Sequence, residues 1–231
     1  MTTPPATTSA TSPVPTPTTL GEEILLLSLD DTTGEARLPL RTPYAIAAAA
    51  LLERALAADT DDTANTDDTD AAVGTAGSAE AVLPDDAEKW VAEHRTEEYE
   101  AALQGLLAKG LIRKEKRRVL LVFRTTGYPE SDGTVEAALR GRLAKVVLEG
   151  AEPDHRTAAL ITLLHHGDLH TLAFPDADSD DSPAKRRMTE TAERHWADPA
   201  LRRMAETAAA ASAALTAATM ATTVVVITAV T

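Results

Sequence analysis

Four residues that could bind a metal ion lie close together in the chain. They are His165, His166, Asp168 and His170, in the spacing His-His-x-Asp-x-His. This spacing matches no established zinc motif. The first two histidines come at the end of a predicted helix, where an imidazole interacts favourably with the helix dipole. We therefore interpret the group as structural in preference to a metal centre, and we expect no metal and no cofactor.

An Asp-rich segment offers a second set of potential metal ligands. The calcium loop of an EF-hand requires a Gly at a fixed offset from its first Asp. No Gly follows Asp61, Asp67 or Asp68 at that offset. The segment is also low in sequence complexity and rich in Asp, Thr and Ala. We therefore expect a disordered acidic loop at about 59–80 rather than a calcium site.

Side chains suited to nucleophilic or acid–base catalysis are scarce. The chain has no Cys and no G-x-S-x-G motif, P-loop or G-x-G-x-x-G motif. Ser131 and Ser182 lie beside turn-forming residues, where Ser is common for conformational reasons. Glu22 and Glu23 are adjacent carboxylates, but adjacent side chains on a helix do not face each other. We therefore expect that the protein is not an enzyme.

The basic segment, residues 109–118, contrasts with an acidic chain. The formal net charge is −14, and residues 55–88 contain ten acidic residues and no Lys or Arg. Within the basic segment only Glu115 opposes six cationic side chains, which are Lys109, Arg113, Lys114, Lys116, Arg117 and Arg118. This segregation of charge favours an anionic partner: a membrane surface, a nucleic acid or an acidic protein.

Three interpretations of the basic segment remain open at this point. Its charges could have no binding role and serve to protect the edge of a solvated hairpin from aggregation. They could contact DNA as the wing of a winged-helix module, or they could contact anionic lipid headgroups. The helix before the segment carries Glu93, Glu97, Glu98 and Glu100, which would face phosphates unfavourably. We therefore expect no nucleic acid partner.

The pattern of apolar residues predicts an all-α fold that includes one β-hairpin. Hydrophobic residues make up 44% of the chain but aromatic residues only 3%, so Ala and Leu must fill a core of closely packed helices. Thr19 and Glu22 have the spacing of a capping box at the first helix. Helices are expected at 22–29, 44–57, 86–109, 134–148, 156–166, 185–196 and from Pro199 onward, with hairpin strands at 111–114 and 119–124.

The two ends of the chain differ in composition from the middle. Residues 1–18 are rich in Thr and Pro and lack the features of a signal peptide, so we expect a disordered leader. Residues 207–231 carry no charge, and their Ala and Thr favour a buried apolar C-terminal helix over a membrane span. We expect a single multi-helix domain over 19–231. The absence of Cys suits the cytoplasm.

With these elements in place, the sequence resembles the Golgi phosphoprotein 3 family. The likeness is carried by TLGEEILLLSLDDTTGEA (19–36), LLERALA (51–57), LLAKGLIRKEKRRVLLVFRTTGYP (106–129), GRLAKVVLEG (141–150) and TAALITLLHHGDL (157–169), and it extends from about 19 to 196. The resemblance implies a helical peripheral membrane protein that binds phosphatidylinositol 4-phosphate in a basic pocket. It also implies that the hairpin mediates contacts between subunits.

The resemblance places the headgroup pocket at positions where this chain lacks the family's pocket residues. The family's pocket Trp and three pocket Arg residues fall at about Pro39, Ala47, Thr96 and Tyr99. Three nearby cations could replace them if they point inward, and the candidate headgroup residues are therefore Arg37, Arg41 and Arg95.

Charge and resemblance together predict a non-enzymatic protein that associates peripherally with anionic phospholipid membrane. The expected membrane-facing residues are Lys114, Lys116, Arg117 and Arg118, and the expected homo-oligomer contacts are Val119, Leu121 and Phe123. The alternative is a protein-interaction or scaffold module that oligomerises through the hairpin and has no lipid ligand.

Overall fold

The computed structural model describes residues 17–64, 83–119, 123–179 and 181–210. Over these residues the prediction of an all-α fold with one hairpin is confirmed. The elements are α1 (Leu20–Ser28), α2 (Thr42–Ala64), α3 (Ala87–Ala108), β1 (Glu115–Val119), β2 (Phe123–Gly127), α4 (Thr134–Val147), α5 (His155–His166), α6 (His170–Ala173), a 3-10 turn (Pro175–Asp178), α7 (Pro183–Glu193) and α8 (198–210).

Helix α1 lies at the centre of the fold, and all nine of its residues are buried. Its start is fixed by the predicted capping box. The Glu22 N–H donates to the Thr19 hydroxyl at 3.1 Å, and the Thr19 N–H donates to the Glu22 carboxylate at 2.7 Å. A helix that is apolar on most sides must be covered on most sides. Helices α2, α3, α4, α5 and α6 all contact α1.

Helix α2 packs against α1 and α3 through small residues. Ala45, Ala47 and Ala49 are each at most 6% exposed, and small side chains let helix axes approach closely. The sequence predicted that this helix ends at residue 57, but it continues to Ala64. No Gly or Pro interrupts the chain between Pro43 and Gly74, so nothing in the first part of the expected acidic loop stops the helix. Residues 65–80 of that loop lie outside the described residues.

One contiguous core joins the helices. Its buried side chains run from Leu20 in α1 to Met204 in α8. In α8, Leu201 and Met204 face the core while Arg202 and Arg203 are exposed. Of the expected buried C-terminal helix, residues 211–231 lie outside the described residues, as do residues 1–16 of the expected leader. No helix in the described ranges has the length and apolar character needed to cross a bilayer.

The hairpin strands lie further along the chain than predicted. Glu115 pairs with Gly127, and Val119 pairs with Phe123. The apolar run that was expected to form one strand, 119–124, is therefore divided between two paired strands. The predicted strand at 111–114 contributes only an isolated bridge between Ile112 and Glu130. The prediction placed the strands at apolar residues, but β1 consists mainly of the charged residues 115–118.

Two glycines fix the hairpin to the turn that follows α1. Gly34 has a positive φ of 64°, and its carbonyl accepts the Tyr128 N–H at 2.8 Å. A Cβ on Gly127 would lie 2.1 Å from the Thr33 carbonyl oxygen. Only glycine permits this approach of two backbones. The root of the hairpin therefore lies beside the C-terminal end of α1.

Candidate functional site

An apolar cavity of about 370 Å³ opens where α2, α3, α5 and α8 meet. Its walls are mainly aliphatic and include Ala45, Ala48, Val91, Leu163, Leu201 and Met204. Polar groups enter at the edge, where Arg41, His166 and Asp168 contribute to the lining. An apolar cavity of this size with a few polar groups is typical of a ligand site.

Arg41, one of the candidate headgroup residues, lies at the mouth of this cavity. Its guanidinium forms an ion pair with the Asp168 carboxylate and donates to the Asp168 carbonyl oxygen at 3.2 Å. The two side chains are 52% and 55% exposed. An exposed pair of this kind contributes little to stability. An anionic ligand could therefore compete with Asp168 for Arg41 at small cost to the fold.

Arg95 lies over the ring of Tyr44, close to the same cavity. Its guanidinium carbon lies 5.1 Å from the centroid of the Tyr44 ring, and Tyr44 lines the cavity. Its Nη1 donates to the carbonyl oxygen of Ala92. Tyr99 follows Arg95 by one helical turn, and burial together with the nearby Tyr128 raises the pKa of the Tyr99 hydroxyl. This face of α3 therefore runs from the cavity towards the root of the hairpin.

Arg37 is turned into the fold. Its Nη2 donates to the Leu27 carbonyl oxygen at 2.8 Å, and its backbone N–H donates to the Ser28 carbonyl oxygen at 2.7 Å. Its Nε is buried and has no partner among the described residues. The structure thus places Arg41 at the mouth of the cavity and Arg95 against Tyr44, one of the lining residues, while Arg37 stabilises the C-terminal end of α1.

The basic segment contains both engaged and unengaged cations. Lys109 pairs with the buried Glu22, and Arg113 pairs with Glu115 at 2.7 Å. The side chains of Lys114 and Lys116 are exposed and make no hydrogen bond or ion pair with any described residue. These two lysines are free to meet an external anion.

The remaining predicted hairpin residues are only partly placed. Arg117, Arg118 and Val119 belong to β1, and Phe123 begins β2. Their side chains lie outside the described part of the structure, and so does all of Leu121. The expected membrane and subunit contacts of these five residues stay predictions.

A buried ion network around α1 was missed by the sequence analysis, which gave Glu22 a capping role and Glu23 none. Glu22 and Glu23 are each 4% exposed. Glu23 pairs with Arg142 at 2.6 Å and with Arg156 at 3.2 Å. Arg156 also pairs with Glu53 at 3.2 Å. The partners lie more than 80 residues apart in the chain, so no local pattern connects them.

The histidines near the cavity make separate polar contacts. His166 Nε2 lies 2.8 Å from the Asp198 carboxylate, which joins α5 to α8. His170 Nδ1 lies 3.3 Å from the Asp168 carboxylate. Burial, followed by the charge of His166, lowers the pKa of His165. Within the described ranges no three His, Asp or Glu side chains are grouped so that they could hold a metal ion.

A sequence model of the family described as Golgi phosphoprotein 3 (GPP34) matches residues 20–208. The match begins at the first residue of α1 and reaches into α8, so it covers most of the 231 residues. Among curated proteins no significant match was found.

Proposed function

Because the chain belongs to the Golgi phosphoprotein 3 family, we propose that it is a non-enzymatic peripheral membrane protein that binds anionic phospholipid headgroups from the cytoplasm. Phosphatidylinositol 4-phosphate is the lipid that the family resemblance implies. In this proposal one helical domain, residues 19–231, presents the hairpin and the arginine-bearing cavity to the membrane.

The observation that carries the proposal is the exposure of Lys114 and Lys116 without a partner among the described residues. A protein with a formal net charge of −14 has many carboxylates that could pair with them. Two exposed lysines at the start of the hairpin, with no partner among the described residues, are instead suited to an external anion. Each basic side chain near an anionic leaflet contributes about 1 kcal/mol to binding.

The cavity supplies a candidate position for a headgroup phosphate. Arg41 is half exposed at its mouth, and Arg95 lies on the Tyr44 ring that lines it. A guanidinium binds phosphate through parallel N–H groups. Arg37 is not part of this proposal because its guanidinium is committed to the Leu27 carbonyl oxygen.

Co-sedimentation with vesicles tests the proposal. We expect the protein to pellet with phosphatidylcholine vesicles that contain phosphatidylserine, and to stay in solution with phosphatidylcholine alone. Vesicles with phosphatidylinositol 4-phosphate at the same total charge test the lipid preference. Stronger binding to them supports a headgroup site, and equal binding leaves only the general electrostatic interaction.

A scaffold function without a lipid ligand is the second candidate. It is favoured by the hairpin, because in the described residues β1 and β2 pair only with each other. Each strand thus has an outer edge that could pair with another chain. Size-exclusion chromatography of Phe123→Asp distinguishes this function. A smaller assembly than the unmodified protein supports a subunit contact, and an unchanged size argues against one.

A further inference from the structure

A leucine is held in an exposed position beside the cavity. Leu40 is 85% exposed, and the neighbouring Pro39 is exposed as well. These residues belong to the rim loop, residues 38–41. The Leu38 carbonyl oxygen accepts the Arg41 N–H at 3.0 Å, the Thr42 N–H at 3.1 Å and the Thr42 hydroxyl at 3.0 Å. Thr42 is fully buried. The exposure of Leu40 is therefore fixed by a hydrogen-bonded turn.

The backbone is left-handed on both sides of the cavity mouth. Leu38 has a φ of 53° and Asp168 has a φ of 51°. Within the described ranges they are the non-glycine residues with a positive φ. Arg41, in the same loop as Leu38, donates to the Asp168 carbonyl oxygen. For Asp168 this conformation ends α5, since the Asp168 N–H donates to the His165 carbonyl oxygen and the Leu169 N–H to the Leu164 carbonyl oxygen. For Leu38 the left-handed backbone is costly, and such residues tend to occur at functional sites.

Leu40 is continuous with the apolar wall of the cavity. It contributes to the lining together with Tyr44, Ala48 and Val91. Arg41 beside it is half exposed and paired with Asp168. Leu40 is therefore the apolar tip of the rim loop, while the polar groups next to it suit the headgroup layer of a membrane.

We propose that the tip of the rim loop enters the hydrocarbon layer of an anionic membrane, so that Leu40 contacts phospholipid acyl chains while Arg41 stays at the depth of the headgroups. This inference rests on the proposed function, since the basic segment would bring the protein to the surface. Both features are attached to the chain that leaves the C-terminal end of α1: the hairpin through Tyr128 and Gly34, the rim loop a few residues later.

Site-specific fluorescence tests insertion. The chain has no Cys, so Leu40→Cys accepts one environment-sensitive dye. We expect a blue-shifted, brighter emission with phosphatidylcholine–phosphatidylserine vesicles, and quenching by a nitroxide carried on the acyl chains. The matched control is Leu148→Cys, since Leu148 is 63% exposed. Leu148 follows α4, whose Arg142 pairs with Glu23 at the opposite end of α1. Its dye should stay in water.

Binding measurements provide a second readout. Leu40→Asp should weaken vesicle binding by about tenfold or more, because the apolar contact of Leu40 with the acyl chains is lost. Leu148→Asp should leave binding unchanged. The loss from Leu40→Asp should also persist at high salt, since apolar contacts are not screened. Both exposed sites tolerate substitution, which circular dichroism checks.

Three outcomes overturn the inference. If the unmodified protein does not bind anionic vesicles, the proposed function fails and the inference fails with it. If the protein binds but the Leu40 dye stays in water, only the insertion is wrong. Equal dye responses at positions 40 and 148 likewise contradict a specific inserting loop.

Discussion

At the scale of single residues, the fold depends on charges buried around α1. Glu22 accepts the Thr19 N–H and pairs with Lys109, while Glu23 pairs with Arg142. Removing one partner of a buried pair leaves an uncompensated charge, which costs about 3–5 kcal/mol. There is little free space around the Glu22 carboxylate, because α3 contacts it at Gly105.

Gly105→Ala is predicted to destabilise the protein. A Cβ at this position would lie 2.1 Å from the Glu22 carboxylate oxygen, so Glu22 must move away from Thr19 and Lys109. We expect a loss of about 1–3 kcal/mol in the free energy of unfolding, measured in urea. The control is Gly141→Ala in α4, where nothing lies within 4 Å. It should stabilise by about 0.5–1 kcal/mol. Equal effects of the two substitutions would contradict the close contact at Glu22.

His195 is predicted to make stability depend on pH. It is 7% exposed, and burial, followed by the charge of His155, lowers its pKa from 6.5 to about 4. Between these values the unfolded chain binds a proton that the folded chain does not bind. Stability should therefore fall as the pH is lowered from about 6.5 towards 4, by up to about 3 kcal/mol.

Urea unfolding across this pH range measures the effect. In His195→Asn the slope should become shallower but remain above zero, because the lowered pKa of His165 acts in the same direction. An unchanged slope in the variant would show that another group carries the dependence.

At the scale of elements, the hairpin combines a firm root with a charged strand. Gly34 and Gly127 let two backbones meet at the root, and Lys114 lies just before β1 while Lys116 lies within it. The root fixes the position of the strand. The charges can therefore act on a surface outside the protein without changing the core.

Reversing both lysines is predicted to impair vesicle binding. Lys114→Glu with Lys116→Glu should weaken binding to phosphatidylserine vesicles by about thirtyfold or more, from about 1 kcal/mol for each cation. The control double variant is Lys145→Glu with Arg186→Glu, two exposed cations on α4 and α7. It changes the net charge equally. Equal losses in the two variants would mean that net charge alone decides binding.

Helix boundaries with local signals could be predicted from the sequence. Thr19 and Glu22 start α1, and the Asp154 carboxylate accepts the Thr157 N–H at 2.7 Å at the start of α5. The end of α3 at Lys109 and Gly110 was also predicted correctly, since Gly110 has a φ of 69°. Each of these signals lies within a few residues of the boundary it fixes.

Other features depended on distant contacts and could not be predicted. The hairpin register follows from the meeting of Gly34 with the strand end at Gly127, which are more than 90 residues apart. The same holds for the candidate site. Three nearby arginines were indistinguishable in sequence, but Arg37 bonds to the Leu27 carbonyl oxygen while Arg41 bonds to Asp168.

At the scale of the whole molecule, the distribution of charge matters more than its sum. The net charge of −14 would repel an anionic membrane as a whole. Ten acidic residues lie in residues 55–88, whereas the basic segment runs from the end of α3 into the hairpin. Surface charges are screened beyond about 8 Å at physiological salt. The hairpin can therefore be attracted to an anionic membrane although the protein is acidic.

Vesicle co-sedimentation at two salt concentrations is the most direct test of the central claim, that this acidic protein binds anionic membrane through a local basic surface. The account predicts binding to phosphatidylserine-containing vesicles at low salt, weaker binding at high salt, and none to phosphatidylcholine vesicles. Equal binding to both kinds of vesicle, or binding to neither, would contradict it.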